Sequence, residues 1–137
     1  MRIVMLVGPP GSGKTTFVRL NRGPNDCQVD IDLIPKDRTQ HQRLLTRHAL
    51  LERAARADSP GTCWFSTAAP ERQKRDYWRS RYPIDKTIIF ALPLAVVYAR
   101  QQERDGHGSS LGQGVLHWYE HYEPPTADEI NVEVRIE

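Results

Sequence analysis

The sequence predicts an α/β protein with three layers, α/β/α, built on a mostly parallel sheet of about five strands and finished by a C-terminal helical lid. Three observations predict it. Arg2–Val7 is apolar without alternation, as a strand covered on both faces must be. A glycine-rich loop follows it directly, at Gly8–Thr15. Further runs of strand formers then recur with helical patterns between them, and strands alternating with helices give parallel pairing through crossovers.

The loop carries the chemistry. Gly8-Pro9-Pro10-Gly11-Ser12-Gly13-Lys14-Thr15 fits G-x-x-x-x-G-K-[ST] between a strand and a helix, the context a phosphate-binding loop requires. Its glycines let successive backbone N–H groups turn inward around phosphate oxygens. The helix that follows points its N-terminal dipole at the same anion. Lys14 is placed to reach the β- and γ-phosphates and the Thr15 hydroxyl to ligate Mg²⁺, so a nucleoside triphosphate with Mg²⁺ is expected, its base left open. This makes the predicted architecture a P-loop NTPase fold.

After the loop, a helix runs from Thr15 to Leu20 and Asn21–Asn25 is a turn cluster. Cys27–Asp32 reads as a short strand that delivers Asp30 and Asp32 at its C-terminal end, both on one side if the strand persists. In open α/β sheets the site lies beyond the carboxyl ends of the strands, which puts both aspartates in the cleft of the loop. Gln40–Ala57 is a helix with Leu44, Leu45, Leu51, Ala54 and Ala55 toward the core and its arginines mainly elsewhere. Asp58-Ser59-Pro60-Gly61 stops it, and Thr62–Ser66 is the third strand. Pro70 opens a helix to about Arg81, on which Arg72, Arg75 and Arg79 share a face at i, i+3 and i+7. Lys86–Leu92 is the fourth strand and Leu94–Arg104 a helix bearing Arg100 and Arg104. A glycine-rich stretch, Asp105–Gly114, leads to a short helix at Val115–Tyr122, and Val132–Ile136 alternates as a last strand.

With 137 residues the chain is expected to be a single domain, with a lid at about 98–122. Two cysteines, Cys27 and Cys63, outside any C-x-x-C spacing, read as small apolar residues of a reduced, cytoplasmic protein. No apolar run approaches membrane-span length. The net charge of +2 is small but unevenly spread. Twelve Lys/Arg face six Asp/Glu between Lys36 and Lys86, whereas Glu103–Glu137 has two against eight. A basic, arginine-rich middle is suited to phosphate contact, and equally to solvated helix faces. His117 and His121 stand one helical turn apart, a spacing that can bind metal, but no third ligand follows them in the sequence.

Phosphoryl transfer needs charge neutralisation, an aligned acceptor and a place for the acceptor proton. Lys14 and Thr15-held Mg²⁺ meet the first need, and Asp30 or Asp32 the last, as a general base on a hydroxyl. Arg100 and Arg104 are placed to close over the phosphates and exclude water. Together Gly8–Thr16, the aspartate ending the second strand, and the segment from Tyr98 to Glu129 resemble the kinase domain of polynucleotide 5′-kinases and related small P-loop kinases. The resemblance implies Asp32 as general base, Asp30 beside the metal, Arg104 on the transferring phosphate with Arg100 next to it, and a loop from Gly8 through Thr16 that holds ATP. It also implies nucleic acid (DNA or RNA) as acceptor, at a 5′-hydroxyl or a hydroxymethyl group on a DNA base. Two alternatives stand beside it. One is a kinase of a small metabolite, nucleoside or sugar, differing at the surface of Arg43, Arg47, Arg72, Arg75 and Arg79; the other is a nucleotide-driven switch without acceptor. The sequence departs from the family at Pro35, where an arginine often grips the acceptor's phosphate, and at Ser66-Thr67-Ala68, where Asp-Thr-Asn is common. The lid also lacks the family's proline.

Overall fold

The computed structural model describes residues 1–108 and 110–131. Five parallel strands form one sheet in the order β2-β3-β1-β4-β5: β1 Arg2–Val7, β2 Cys27–Asp30, β3 Thr62–Thr67, β4 Ile84–Ile89 and β5 Glu129–Asn131. The helices are α1 Lys14–Asn21, α2 Gln40–Arg56, α3 Arg72–Arg81, α4 Leu94–Asp105 and α5 Gln113–His121. They flank the sheet on both faces, as the sequence pattern predicts. The expected strand Val132–Ile136 lies outside the described residues.

Strand β1 is central because it can be buried on both sides. Ile3, Met5 and Val7 join one core with Phe65, Leu51, Trp78 and Trp118. Val4 and Leu6 join a second with Val18, Trp64 and Phe90. Period-two alternation along β1 thus feeds two layers. Its register against β3 runs unbroken from Arg2↔Thr62 to Val7↔Thr67, so the carboxyl ends of the two strands finish level, with the end of β3 beside the origin of the phosphate loop.

Local chemistry sets the element ends. Helix α2 starts in a capping box: Gln42 N donates to Thr39 Oγ1 at 3.1 Å and Thr39 N to Gln42 Oε1 at 3.0 Å. Asp26 ties the turn before β2 to the start of β3, accepting from Gly23 N, Thr62 N and Trp64 Nε1 at 2.8–2.9 Å. Those hydrogen bonds hold its carboxyl below the ordinary value. Gly61 sits against this turn so closely that a Cβ would stand 2.1 Å from Asn25 O.

Two expectations are corrected here. Leu45 is 55% exposed rather than core; the buried stripe of α2 is Leu51 and Ala54, and one turn back along it lies Arg47. The face of Arg72, Arg75 and Arg79 is also not a free basic surface. Arg75 is fully buried, with Nε 2.8 Å from Glu129 Oε2 and Nη1 2.6 Å from Pro70 O. Arg79 donates to the same Glu129 oxygen at 2.7 Å, and Arg72 Nε to Pro124 O at 2.9 Å.

Candidate active site

The phosphate loop leaves β1 and turns at Gly11 and Gly13, whose φ values of 75° and 99° are left-handed and suit glycine. Gly8 is required for a different reason: a Cβ there would meet Ser12 Oγ at 2.5 Å. Ser12 is buried and its hydroxyl has no partner among the described residues. The Lys14 ammonium turns back to donate to Gly8 O and, at 3.5 Å, to Thr67 O. Burial lowers its pKa from 10.5 to about 8, against an opposing pull from Asp30 and Asp32. A loop that buries a cation and an unpartnered hydroxyl under inward-turned glycines suits a polyanion, so the residues fit a nucleotide's phosphates.

This loop opens on a cleft of about 750 Å³. Thr15, Thr16, Asp30 and Asp32 line it with the loop, and Arg100 and Arg104 close its far side. The sequence brings all of these together as expected, but by a different local route. Strand β2 ends at Asp30, whose φ and ψ are still extended; a 3₁₀ turn at Ile31–Leu33 follows. Asp30 Oδ1 caps that turn by accepting from Asp32 N at 2.9 Å. The turn, rather than strand alternation, presents Asp32 to the cleft, and Asp32 is exposed there. Thr15 hydroxyl and two carboxylates form a hard oxygen donor set, which fits Mg²⁺.

Arg104 stands over the loop: a Cβ on Gly11 would lie 3.4 Å from its Nη1. Its guanidinium pairs with Asp105 at 3.1 Å and is solvated, so that pair is easily exchanged for another anion. Pro9 belongs to the same turn, its carbonyl accepting from Ser12 N at 3.2 Å.

A second cavity, of about 550 Å³, adjoins the cleft; Arg47, Thr67 and Ala68 line both. Its other walls are Ala69, Tyr77 and Trp78, with the Glu71–Lys74 pair at its rim. Ala69 has φ 32°, unusual for a residue with a Cβ. The carbonyls around it are held from elsewhere in the chain: Trp118 Nε1 donates to Ala68 O at 2.7 Å, and Arg75 Nη1 to Ala69 O and Pro70 O. Sequence reasoning passed over this cavity and placed Arg47 only on a basic surface with four other arginines. The available signal was the position of Arg47 on the buried stripe of α2, one turn before Leu51. The third metal-capable side chain missing beside His117 and His121 is Glu120, but this exposed group, with ligand atoms within 4.8 Å, lines neither cavity.

No protein-family model and no curated relative matches the chain. Solved structures do. A sugar kinase from Janibacter sp. HTCC2649 matches with TM-score 0.63 and 23% identity over 96% of this chain and 83% of that one. A gluconokinase from Sinorhizobium meliloti 1021 matches with TM-score 0.64 and 21% identity, over 96% and 81%. The shikimate kinase of Aquifex aeolicus matches at 0.52 and 16%, over 96% and 85%. The chain has the fold of a P-loop kinase.

None of these is a polynucleotide kinase, and the expected nucleic-acid acceptor is overturned. The matching P-loop kinases are named for small molecules. Four of the five arginines on the surface expected to grip a polyanion are engaged internally: Arg75 and Arg79 with Glu129, Arg72 with Pro124 O at 2.9 Å, and Arg43 with Ile31 O at 2.6 Å. Pro35 stands where the polynucleotide kinase family often has an acceptor-binding arginine. Among the described residues no helix is long and apolar enough to cross a membrane.

Proposed function

We propose that the chain is an ATP-dependent kinase that phosphorylates a hydroxyl of a small molecule. The observation that carries this reading is the junction of two cavities at the end of β3. A phosphate cleft with a basic side chain and carboxylates opens, past Arg47, Thr67 and Ala68, into a second space of metabolite size. The likeness to sugar, gluconate and shikimate kinases supports it at the level of fold.

In this reading the loop from Gly8 to Thr16 holds the triphosphate, and Lys14 neutralises the charge that builds on the transferred group. Thr15 and Asp30 would hold Mg²⁺, which when bound shields the phosphates' mutual repulsion. Asp32, exposed at the wall of the phosphate cleft, takes the proton of the attacking hydroxyl. Arg104 leaves Asp105 for the transferring phosphate, and Arg100, on the same face of α4 one turn earlier, supports it. Closure by α4 keeps water from competing with the acceptor.

The test is transfer from labelled ATP to a panel of sugars, polyols, hydroxy acids and nucleosides, with phosphate esters separated from inorganic phosphate. An acceptor-dependent ester is expected. Release of inorganic phosphate alone, at a rate no acceptor changes, would replace the kinase with the acceptorless switch.

A further inference from the structure

Two arginines of this protein sit on the buried stripes of their helices. On α3, Arg75 shares the stripe of Trp78 and Tyr82; on α2, Arg47 shares that of Leu51 and Ala54. A guanidinium cannot shed its charge, so each must be met by an anion or remain costly. Arg75 is met by Glu129 and by four backbone carbonyls. Arg47 is not: its Nε is buried without a hydrogen-bond partner, and no carboxylate of the described residues is within ion-pair distance. Its guanidinium lies over the Trp78 ring, 4.7 Å from the centroid. Burial depresses its pKa, opposed by Tyr77, Tyr82 and Asp30 in that order. The cation-π contact orients the planar fork and leaves its edge toward the cavities it lines.

We propose that the cavity between α2, α3 and the end of β3 binds the acceptor, and that Arg47 selects an acceptor carrying a carboxylate. This rests on the kinase reading above and names the substrate class for it: small hydroxy acids. One guanidinium fork matches one carboxylate in the bidentate manner. The adjacent walls of Ala68, Ala69 and Trp78 suit a carbon skeleton, and the cavity's continuity with the cleft of Asp32 leaves a hydroxyl of the same molecule near the base. A dianionic phosphate ester fits less well, because among the described residues lining this cavity the one other cation, Lys74, comes with the Glu71 carboxylate 3.2 Å from it, so the lining carries a net single positive charge.

The experiment compares wild type, Arg47→Gln and Arg47→Lys on three acceptors of equal carbon number: an aldonate, the corresponding alditol and a sugar phosphate. The aldonate should be preferred. Arg47→Gln should raise its KM roughly 10- to 100-fold, the scale of a lost charge-assisted hydrogen bond. KM for ATP should rise far less than KM for the aldonate, and Arg47→Lys should recover part of the loss. Equal use of alditol and aldonate, preference for the sugar phosphate, or a matching rise in KM for ATP would overturn the assignment. Binding is read separately, as the thermal shift given by the aldonate without nucleotide. A shift in wild type that vanishes in Arg47→Gln sustains the anion site even if no acceptor gains phosphate, an outcome that would sink only the kinase reading. No shift in either protein and no aldonate turnover would sink the anion site itself.

Discussion

Replacing Glu129 by glutamine removes the charge at the centre of the buried cluster while keeping size and one acceptor oxygen. The Glu129 side chain is 0% exposed and receives Arg75 Nε at 2.8 Å, Arg79 Nη1 at 2.7 Å and Thr126 N at 2.9 Å. Burial alone would raise its pKa; the hydrogen bonds from Arg79, Thr126 and Arg75 outweigh that and bring it from 4.5 down to about 2. Such a displacement favours the folded, ionised form by roughly 3 kcal/mol. Breaking a buried pair from one side costs about 3–5 kcal/mol, because the partner cation stays behind. Against a total stability of about 5–15 kcal/mol, Glu129→Gln is therefore severe, lowering Tm by on the order of 10 °C. The sign with pH follows from the two values. The contribution is complete above about 4.5, where the unfolded chain is also ionised, and is lost as pH falls toward about 2. Urea titrations at pH 7 should separate variant and wild type by about 3 kcal/mol, and the gap should narrow steadily below pH 4.5. A gap under about 0.5 kcal/mol at pH 7, or one unchanged at pH 3, would refute the account of the cluster.

Five further outcomes follow from the site and its surroundings. Lys14, held at about 8 by burial, must be charged to meet phosphate, so ATP affinity should weaken as pH rises above about 8, with proton uptake on binding; calorimetry in buffers of different ionisation enthalpy measures it, and a flat Kd between pH 7 and 9.5 would contradict it. The same depressed value means that the unfolded chain binds more protons between about 8 and 10.5, so stability without nucleotide should rise across that window. Asp32→Asn should cut transfer by about 100-fold or more with ATP binding nearly intact, and Arg104→Ala should lower kcat more than it raises KM for ATP; steady-state kinetics decides both. Ala69→Gly relieves a left-handed φ of 32° and should stabilise the chain by up to about 1 kcal/mol in a denaturant titration, while loss of stability would show that the backbone there is not strained.

The donor half of the site is legible in the sequence because it is local. Gly8 to Thr16 is continuous, and its fit to a motif needs no knowledge of the rest of the fold. The parallel sheet was legible for a related reason: Ile3–Val7 has no polar face to expose, and a strand of that kind must be covered twice. The aspartates were located correctly, although the 3₁₀ turn that aims Asp32 depends on the capping carboxylate of Asp30 and leaves no period-two signature. The basic face of α3 was misread because i, i+3, i+7 spacing is the same for a solvated stripe and a buried one. What separates them is Glu129, 54 residues from Arg75, and nothing near Arg75 in the chain announces it. Leu45 and Arg47 were exchanged for the same reason. Periodicity assigns residues to a face, but which face is covered was decided by β1, β3 and α3.

The same contrast explains how the site divides. The loop's conformation is set by its own glycines and by hydrogen bonds spanning a few residues, such as Ser12 N to Pro9 O. The turn after β3 is set from far away: Ala68 O by Trp118 on α5, Ala69 O and Pro70 O by Arg75 on α3, and Arg75 in turn by Glu129 on β5. That turn is the floor of the second cavity. Its left-handed Ala69 persists because several distant donors over-determine it. A change in α3, α5 or β5 can therefore reshape the second cavity while leaving the loop's own turns at Gly11 and Gly13 in place. The reverse does not hold, since Lys14 bonds to Thr67 O as well as to Gly8 O. A phosphate that draws the ammonium away leaves Thr67 O, which lines both cavities, with its bond from Gly8 N at 3.2 Å. In the proposed kinase, Thr67 would therefore connect loading of the nucleotide to the wall of the acceptor space.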